Sequence, residues 1–300
     1  MKILTLLLLL VSQLTFGKDI PVKNFCGAYA SVIKNIGTNY SLFSNSSPYP
    51  EEPCPGLGCP GITRYDGLLT NPSYKGVVAP NSIIDDVFNA DGSLSNDRMF
   101  SRPVVAKSGR GYVAVAMVLN GYPSKDNTGI PAWLTSYDGF NWVYHGKFKG
   151  EPAGIKLFGS GMGLIVEKSG TPKYRFYTDG YGVKTALLKS DGNNIWTFER
   201  NTDESIKEIA PIGWTGSIFQ SAAKVNGVYY LSASNTWPVT QWAYSHSADG
   251  VNFIADRFES VSIDKKNVSL FGVNNLNLMA LVTTRYTGSC YKKAVRNLPE

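Results

Sequence analysis

Ser136-Tyr137-Asp138-Gly139-Phe140-Asn141-Trp142 and Ser247-Ala248-Asp249-Gly250-Val251-Asn252-Phe253 share one polar frame, and Ser190-Asp191-Gly192-Asn193-Asn194-Ile195-Trp196 is a looser copy of it. Trp142 and Trp196 stand 196 − 142 = 54 residues apart, and Trp196 and Phe253 stand 253 − 196 = 57 apart. A repeat at that period marks solenoids, propellers and arrays, where one supersecondary unit is copied and stacked. Asp-Gly closes a tight hairpin because glycine takes positive φ without penalty and aspartate bonds its own backbone. Each copy follows one strand-like run and precedes another, so the three read as the same corner made three times, with the aromatic packing back over the turn.

Between the corners the chain is rich in β-branched and aromatic residues, with strand-like runs at 111–119, 173–178, 227–233 and 276–284. Helical periodicity is absent beyond the first residues. Short strands with 30 Gly and 16 Pro point to an all-β sandwich, barrel or propeller, and the repeat selects a single β-propeller. Residues 1–17 combine Lys2 with the apolar stretch from Ile3 to Phe16 and end at Gly17. This pattern predicts a secretory signal peptide, with an uncleaved anchor as the alternative. The remaining domain, 18–300, has 300 − 17 = 283 residues, which at the observed spacing makes about five blades. Residues 101–150, 151–209 and 210–262 are three of them. The flanks, 18–100 and 263–300, supply two more, with the N- and C-terminal strands sharing the closure. The stretch 39–80, rich in Ser, Pro, Gly and Tyr, reads as the least regular part, either a loop over one face of the ring or a surface excursion.

The Ser-x-Asp-Gly-x-Asn-Trp/Phe corner resembles the Asp-box of sialidase-type propellers. It is similar too to the Asp-Gly hairpins of five-bladed glycosidases of the arabinanase and β-xylosidase clan. A second phrase points the same way: 103–112 resembles 220–230, each a polar start to an inner strand, a glycine turn and a tyrosine-bearing return. The resemblance implies that these corners lie on the outer rim and staple blades, so that Asp138 and Asp249 are structural. It also implies inner-strand acids, and at the aligned places this chain has Arg102 and Gln220.

A propeller's ligand site is expected at the mouth of its channel, where inner strands begin. Glycoside hydrolysis needs two carboxyl groups flanking one bond. Asp97, Glu151 and Glu208 precede successive blades and are the catalytic candidates. Arg102, Lys156 and Gln220 are candidate hydrogen-bonding groups, and Trp133, Trp214 and Trp237 are candidates for stacking on sugar rings. Blade packing is the competing role for each tryptophan. The first reading is therefore an exported glycoside hydrolase, and the competing one is a non-catalytic propeller that binds a glycan or protein partner, which Arg102 and Gln220 favour. A sialidase-like hydrolase is a third, with Arg102, Arg175, Arg285 and Tyr286 at its core.

After removal of Lys2 the formal charge is 29 − 1 − 23 = +5, and only Lys265-Lys266 and Lys292-Lys293 form pairs. No clustered basic stripe marks a nucleic-acid protein. The expected partner is a carbohydrate, in a secreted or periplasmic setting without stable membrane insertion. Export would let the four cysteines pair. Cys54 with Cys59 across a Pro/Gly loop leaves Cys26 with Cys290, which is what a closed ring predicts; Cys26 with Cys54 or Cys59 is the alternative. Two histidines, His145 and His246, and no Cys-x-x-Cys spacing argue against a metal site, and no cofactor is implied.

Overall fold

The computed structural model describes residues 20–23, 25, 30–44, 61–121, 129–155, 161–168, 172–180, 183–209, 218–234, 241–260, 267–273, 277–287 and 290–298. They form five sheets. Strand β1 (Ile20–Val22) belongs to the last of these. The first sheet runs β2 (Ala30–Lys34), β3 (Asn39–Ser44), β4 (Gly61–Leu68), β5 (Asn71–Pro80), and the second runs β6 (Arg98–Ser108), β7 (Gly111–Asn120), β8 (Ile130–Ser136), β9 (Trp142–Lys147). The third contains β10 (Lys149–Gly150), β11 (Met162–Val166), β12 (Tyr174–Gly180), β13 (Val183–Ser190) and β14 (Ile195–Phe198), in the order β10-β14-β13-β12-β11. The fourth is β15 (Ile218–Val225), β16 (Val228–Ser234), β17 (Gln241–Ser247), β18 (Ile254–Ser260). In the fifth, β19 (Asn267–Val273), β20 (Asn277–Thr287) and β21 (Cys290–Asn297) are followed outward by β1.

Strands β2, β6, β11, β15 and β19 neighbour one another in turn, and β19 returns to β2. The molecule is a closed five-bladed β-propeller with these five strands around its channel. The ring closes where Ile20, Pro21 and Val22 pair with Val295, Ala294 and Lys293. The stretch 39–80, expected to be irregular, instead supplies three strands of the first blade; residues 40–44 and 61–65 are buried at every position, so no alternation of apolar and polar residues marks them as strands in the sequence. Its residues 45–60 lie outside the described residues, as do the segment 1–17 expected to be a signal peptide and Cys26, Cys54 and Cys59.

Blade sheets are buried on both faces, which explains strands that are apolar at consecutive positions. In β7, Ala114, Ala116 and Val118 pack with Phe43, Ile62 and Phe100 between the first two blades. Val113, Val115 and Met117 point the other way, toward Phe148, Phe176 and Trp196 of the next interface. Similar cores lie between the third and fourth blades around Tyr177, Leu187 and Phe219, and between the fourth and fifth around Trp242 and Leu278. The last, around Leu42, Tyr65, Leu281 and Val295, joins the fifth to the first. Near the channel the third and fourth blades come very close: a Cβ on Gly163 would stand 2.4 Å from that of Ala222, and one on Gly161 2.1 Å from the Phe219 carbonyl oxygen.

The repeated corner joins the third strand of a blade to its fourth. Ser136 Oγ accepts the Gly139 N–H at 2.8 Å, Asp138 Oδ1 accepts those of Phe140 and Asn141 at 2.8 Å each, and Asn141 Nδ2 donates to Asp138 Oδ2 at 2.7 Å. The second copy repeats this with Gly250, Val251 and Asn252 bonded to Ser247 and Asp249. Gly139 and Gly250 both sit at φ 75°, where a side chain would be strained. The preceding blade reaches over: Arg64 Nη1 donates to Asp138 O at 2.8 Å with its guanidinium 4.0 Å from the Phe140 ring, and Arg175 Nη1 donates to Asp249 O at 2.6 Å. In the looser copy Asn194 Nδ2 donates across to the His145 and Lys147 carbonyls of the second blade, 3.1 Å each.

The backbone N–H of Asn141 and that of Phe140 hold the Asp138 carboxyl well below the usual carboxylate range. Bonds from Asn252 and Val251 do the same for Asp249. A carboxylate whose pKa is depressed on folding contributes stability that is fully present above its unfolded pKa of about 3.9 and is lost as pH falls toward the folded value. We expect the urea midpoint to fall between pH 4 and pH 2, and Asp138→Asn with Asp249→Asn to flatten that fall. An unchanged acid slope in the double variant would count against the corners as its source.

Candidate functional site

The channel encloses about 950 Å³, lined by residues of all five inner strands. At its leading mouth, where those strands begin, β6 carries a bulge between Ser101 and Val104. The bulge holds Arg102 at φ 49°, a left-handed backbone that costs a non-glycine residue on the order of 1 kcal/mol. Bulges commonly re-aim a side chain beside a ligand site. Next to it Ser31 Oγ donates to Pro103 O at 3.2 Å and accepts the Val105 N–H at 2.8 Å, tying the first blade to the second. Gln220, from the fourth blade, also lines the channel; it is buried and donates through Nε2 to Ser234 Oγ at 3.0 Å. Below it the Ser221 and Ser232 hydroxyls are paired at 2.8 Å. Arg102 is thus the one charged side chain in the described lining at this end, which also includes apolar Ala30, Pro103 and Met162.

The trailing mouth has a different chemistry. Glu167 follows β11, and Arg175 Nε lies 2.8 Å from its Oε1 while Lys224 grips Oε2. Tyr229 donates its hydroxyl to Glu167 Oε1. Burial alone would loosen the proton on Lys224, and the bonds to Glu167 and Tyr229 more than reverse this, so that its pKa rises. Arg175 also sits 5.0 Å from the Tyr229 ring. Burial raises the pKa of Tyr177 and keeps its hydroxyl protonated, donating to Gly250 O at 2.7 Å. Glu167 is the carboxylate among the described lining residues, and every oxygen it has is engaged.

The three catalytic candidates are not brought together. Asp97 is exposed ahead of β6 and its carbonyl accepts the Gly121 N–H at 2.9 Å. Glu151 lies on the outer edge of the third blade, where Oε2 accepts the Phe198 N–H at 2.7 Å and Oε1 is 3.3 Å from Arg200 Nη2. Glu208 pairs with Ala186 on the same outer half. The physical reason is topological: the chain enters that blade through β10, parallel to β14 on the outside, before it reaches the channel at β11. None of the three lines the channel.

Trp133 is buried in the core between the second and third blades, 5.6 Å from Trp196 and 4.9 Å from Tyr174, so its faces are taken up by protein. Lys156, Trp214 and Trp237 lie outside the described residues. Of the sialidase-like set, Arg102 lines the leading mouth, while Arg175 is engaged with Glu167 and the Asp249 carbonyl. Arg285 and Tyr286 fall at an irregularity in the β20/β21 pairing. His145 Nε2 meets Thr135 Oγ1 at 2.7 Å, a local contact. Among the described residues no group of three potential ligands could hold a metal ion, and no helix is long and apolar enough to cross a membrane. The signal missed in the sequence is the set of lysines at inner-strand ends, which lie far apart along the chain.

The fold is similar to that of an exo-beta-1,3-galactanase from Clostridium thermocellum, at TM-score 0.62 and 14% identity over 95% of this chain and 62% of that one. A GH43_1 enzyme from Xanthomonas citri matches at 0.60 and 9%, over 94% and 90%. A GH43 endo-arabinanase from Bacillus licheniformis matches at 0.59 and 15%, over 94% and 96%. This chain therefore spans less than two thirds of the galactanase's length. No protein-family model matches it, and no curated protein matches its sequence.

Proposed function

We propose that the protein is a carbohydrate-active propeller that recognises a glycan at the leading mouth of its channel. The observation that carries the reading is Arg102, a strained non-glycine held by a bulge where five blades converge, in a channel also lined by buried Gln220 and by Ser31. Strain of this kind persists where surrounding structure over-determines it, and it gathers at ligand sites. Recognition without cleavage is favoured because no pair of carboxyl groups faces the channel among the described residues, while hydrolysis by the two-carboxylate route needs one.

Hydrolysis is the second reading. It is supported by the fold shared with proteins named as a galactanase and an arabinanase, and it draws on Asp97, next to the start of β6. A glycan array on the purified protein, followed by mass spectrometry of the bound sugars, separates the two. Binding without released sugar, weakened about tenfold or more by Arg102→Ala, is the expected result. Release abolished by Asp97→Asn would replace it with hydrolysis. No glycan retained at all would overturn both.

Export and disulfide pairing belong to the same proposal. Cys26 follows Val22 by four residues (26 − 22) and Cys290 precedes Lys293 by three (293 − 290), and Val22 and Lys293 are paired neighbours. This supports the Cys26 to Cys290 bond, which peptide mapping without reductant tests. N-terminal sequencing of the exported protein tests cleavage after Gly17.

A further inference from the structure

Four of the five inner strands end at or beside a lysine. Lys34 closes β2, Lys107 and Lys224 stand one residue before the ends of β6 and β15, Lys168 follows β11 and Lys173 precedes β12. All five line the trailing mouth. With Glu167 they place a formal charge of 5 − 1 = +4 around one opening, in a chain whose total is +6. Lys34 bonds the Gly37 carbonyl and lies 4.2 Å over the Tyr40 ring, and Lys173 lies 5.3 Å from the Tyr174 ring. Neither partner is an anion. Lys34, Lys107, Lys168 and Lys173 form no ion pair with a described residue. A ring with a net excess of one sign over a low-dielectric channel focuses potential on its axis.

We propose that the trailing mouth is a second ligand site, distinct from the leading one, which takes the acidic groups of a single oligosaccharide chain bearing uronate or sulfate. The shape of the charge selects a narrow ligand. Lys107 pairs across the sheet with Tyr112 and Tyr112 with Ser136; Lys224 pairs with Tyr229 and Tyr229 with Ser247. The Asp138 and Asp249 corners therefore share this face, two strands out from the ring. A Cβ on Gly192 would stand 3.8 Å from Lys173 Nζ, which puts the Asp191 corner there too. A flat anionic membrane or a duplex laid across the face would meet these carboxylates, whereas a chain entering the ring meets lysines.

Single-stranded nucleic acid is disfavoured for another reason. Its bases need aromatic platforms, and the aromatic in the described lining is Phe271, which is buried. Ile36, 92% exposed at the rim, offers instead the small apolar contact that one face of a sugar ring accepts.

Calorimetry on the full chain tests the site with a heparin-derived hexasaccharide, hexagalacturonate, a neutral hexasaccharide, phosphatidylglycerol vesicles and a ten-nucleotide thymidine strand. Measurements at about 20 mM and about 150 mM salt expose the electrostatic part. At least one acidic hexasaccharide is expected to bind in preference to the neutral sugar, the vesicles and the strand, and to weaken with salt. Lys107→Glu with Lys168→Glu should reduce its affinity about tenfold or more, while exposed Lys75→Glu, away from the ring, leaves it unchanged and circular dichroism confirms folding. Absence of acidic-sugar binding at low salt, equal loss with Lys75→Glu, indifference to the double variant, or tighter binding of vesicles or the strand would each overturn the proposal. Neutral-glycan binding at the leading mouth is read separately through Arg102→Ala.

Discussion

Trp196→Ala is expected to cost about 3–5 kcal/mol of stability, a range found for deletion of large buried aromatics, and to lower the thermal midpoint by about 10 °C or more. Trp196 is fully buried and stacks on Phe148 with centroids 4.3 Å apart and planes at 12°. It also meets Trp133 at 5.6 Å and Phe176 at 6.1 Å, edge-on. Removing it opens a cavity that cannot collapse, because the two sheets on either side are pinned by their own ladders and by Asn194 reaching across to the second blade. Differential scanning calorimetry reads the loss. Trp196→Phe should recover roughly half of it. A loss below about 1 kcal/mol would mean that this interface is far looser than its ring contacts indicate.

The second large effect belongs to Glu167→Ala, expected to cost about 3 kcal/mol. Removing one partner of a buried ion pair leaves the other charge without compensation, and here two cations, Arg175 and Lys224, lose their shared carboxylate. Both side chains keep some contact with solvent, at 15% and 24%, which places the cost at the lower end of the range for broken buried pairs. Combining Glu167→Leu with Lys224→Met should regain part of the loss, since it removes one of the two cations that need the carboxylate and leaves only Arg175 uncompensated. Urea midpoints for the three proteins check this. A wild-type midpoint in Glu167→Ala would show that the cluster is solvated and adds nothing.

The propeller was legible because its signal is local and repeated: Ser, Asp, Gly and an aromatic fall within seven residues, and the two strict copies form the same corner bonds. Blade number followed from the spacing of Trp142, Trp196 and Phe253. The choice of acids failed to converge because it assumed that the chain enters each blade at the channel. In the third blade β10 adds to the outside first, and this carries Glu151 to the rim to cap Phe198. The lysine ring was invisible for the opposite reason. Lys34, Lys107, Lys168 and Lys224 are separated by 73, 61 and 56 residues (107 − 34, 168 − 107 and 224 − 168), so charge spread evenly along the chain becomes charge concentrated around one opening only when the inner strands are drawn together. Trp133 looked equally suited to sugar or core, and the neighbours that decided it, Tyr174 and Trp196, arrive from another blade.

The pairing of β1 with β21 also sets an order of events. Val22 has no partner until Lys293 exists, so a chain emerging from its N-terminus can complete the first four blades while the fifth waits for almost the last residue. Contacts that distant in sequence form slowly, because a large loop must be closed before any energy is gained. Until that moment the first blade's Leu42 and Tyr65 lack the Leu281 and Val295 surfaces that cover them in the finished ring. A ring of four blades without this pairing leaves that apolar surface open to chaperones or to another copy of itself, and the final three-residue pairing is the latch that covers it.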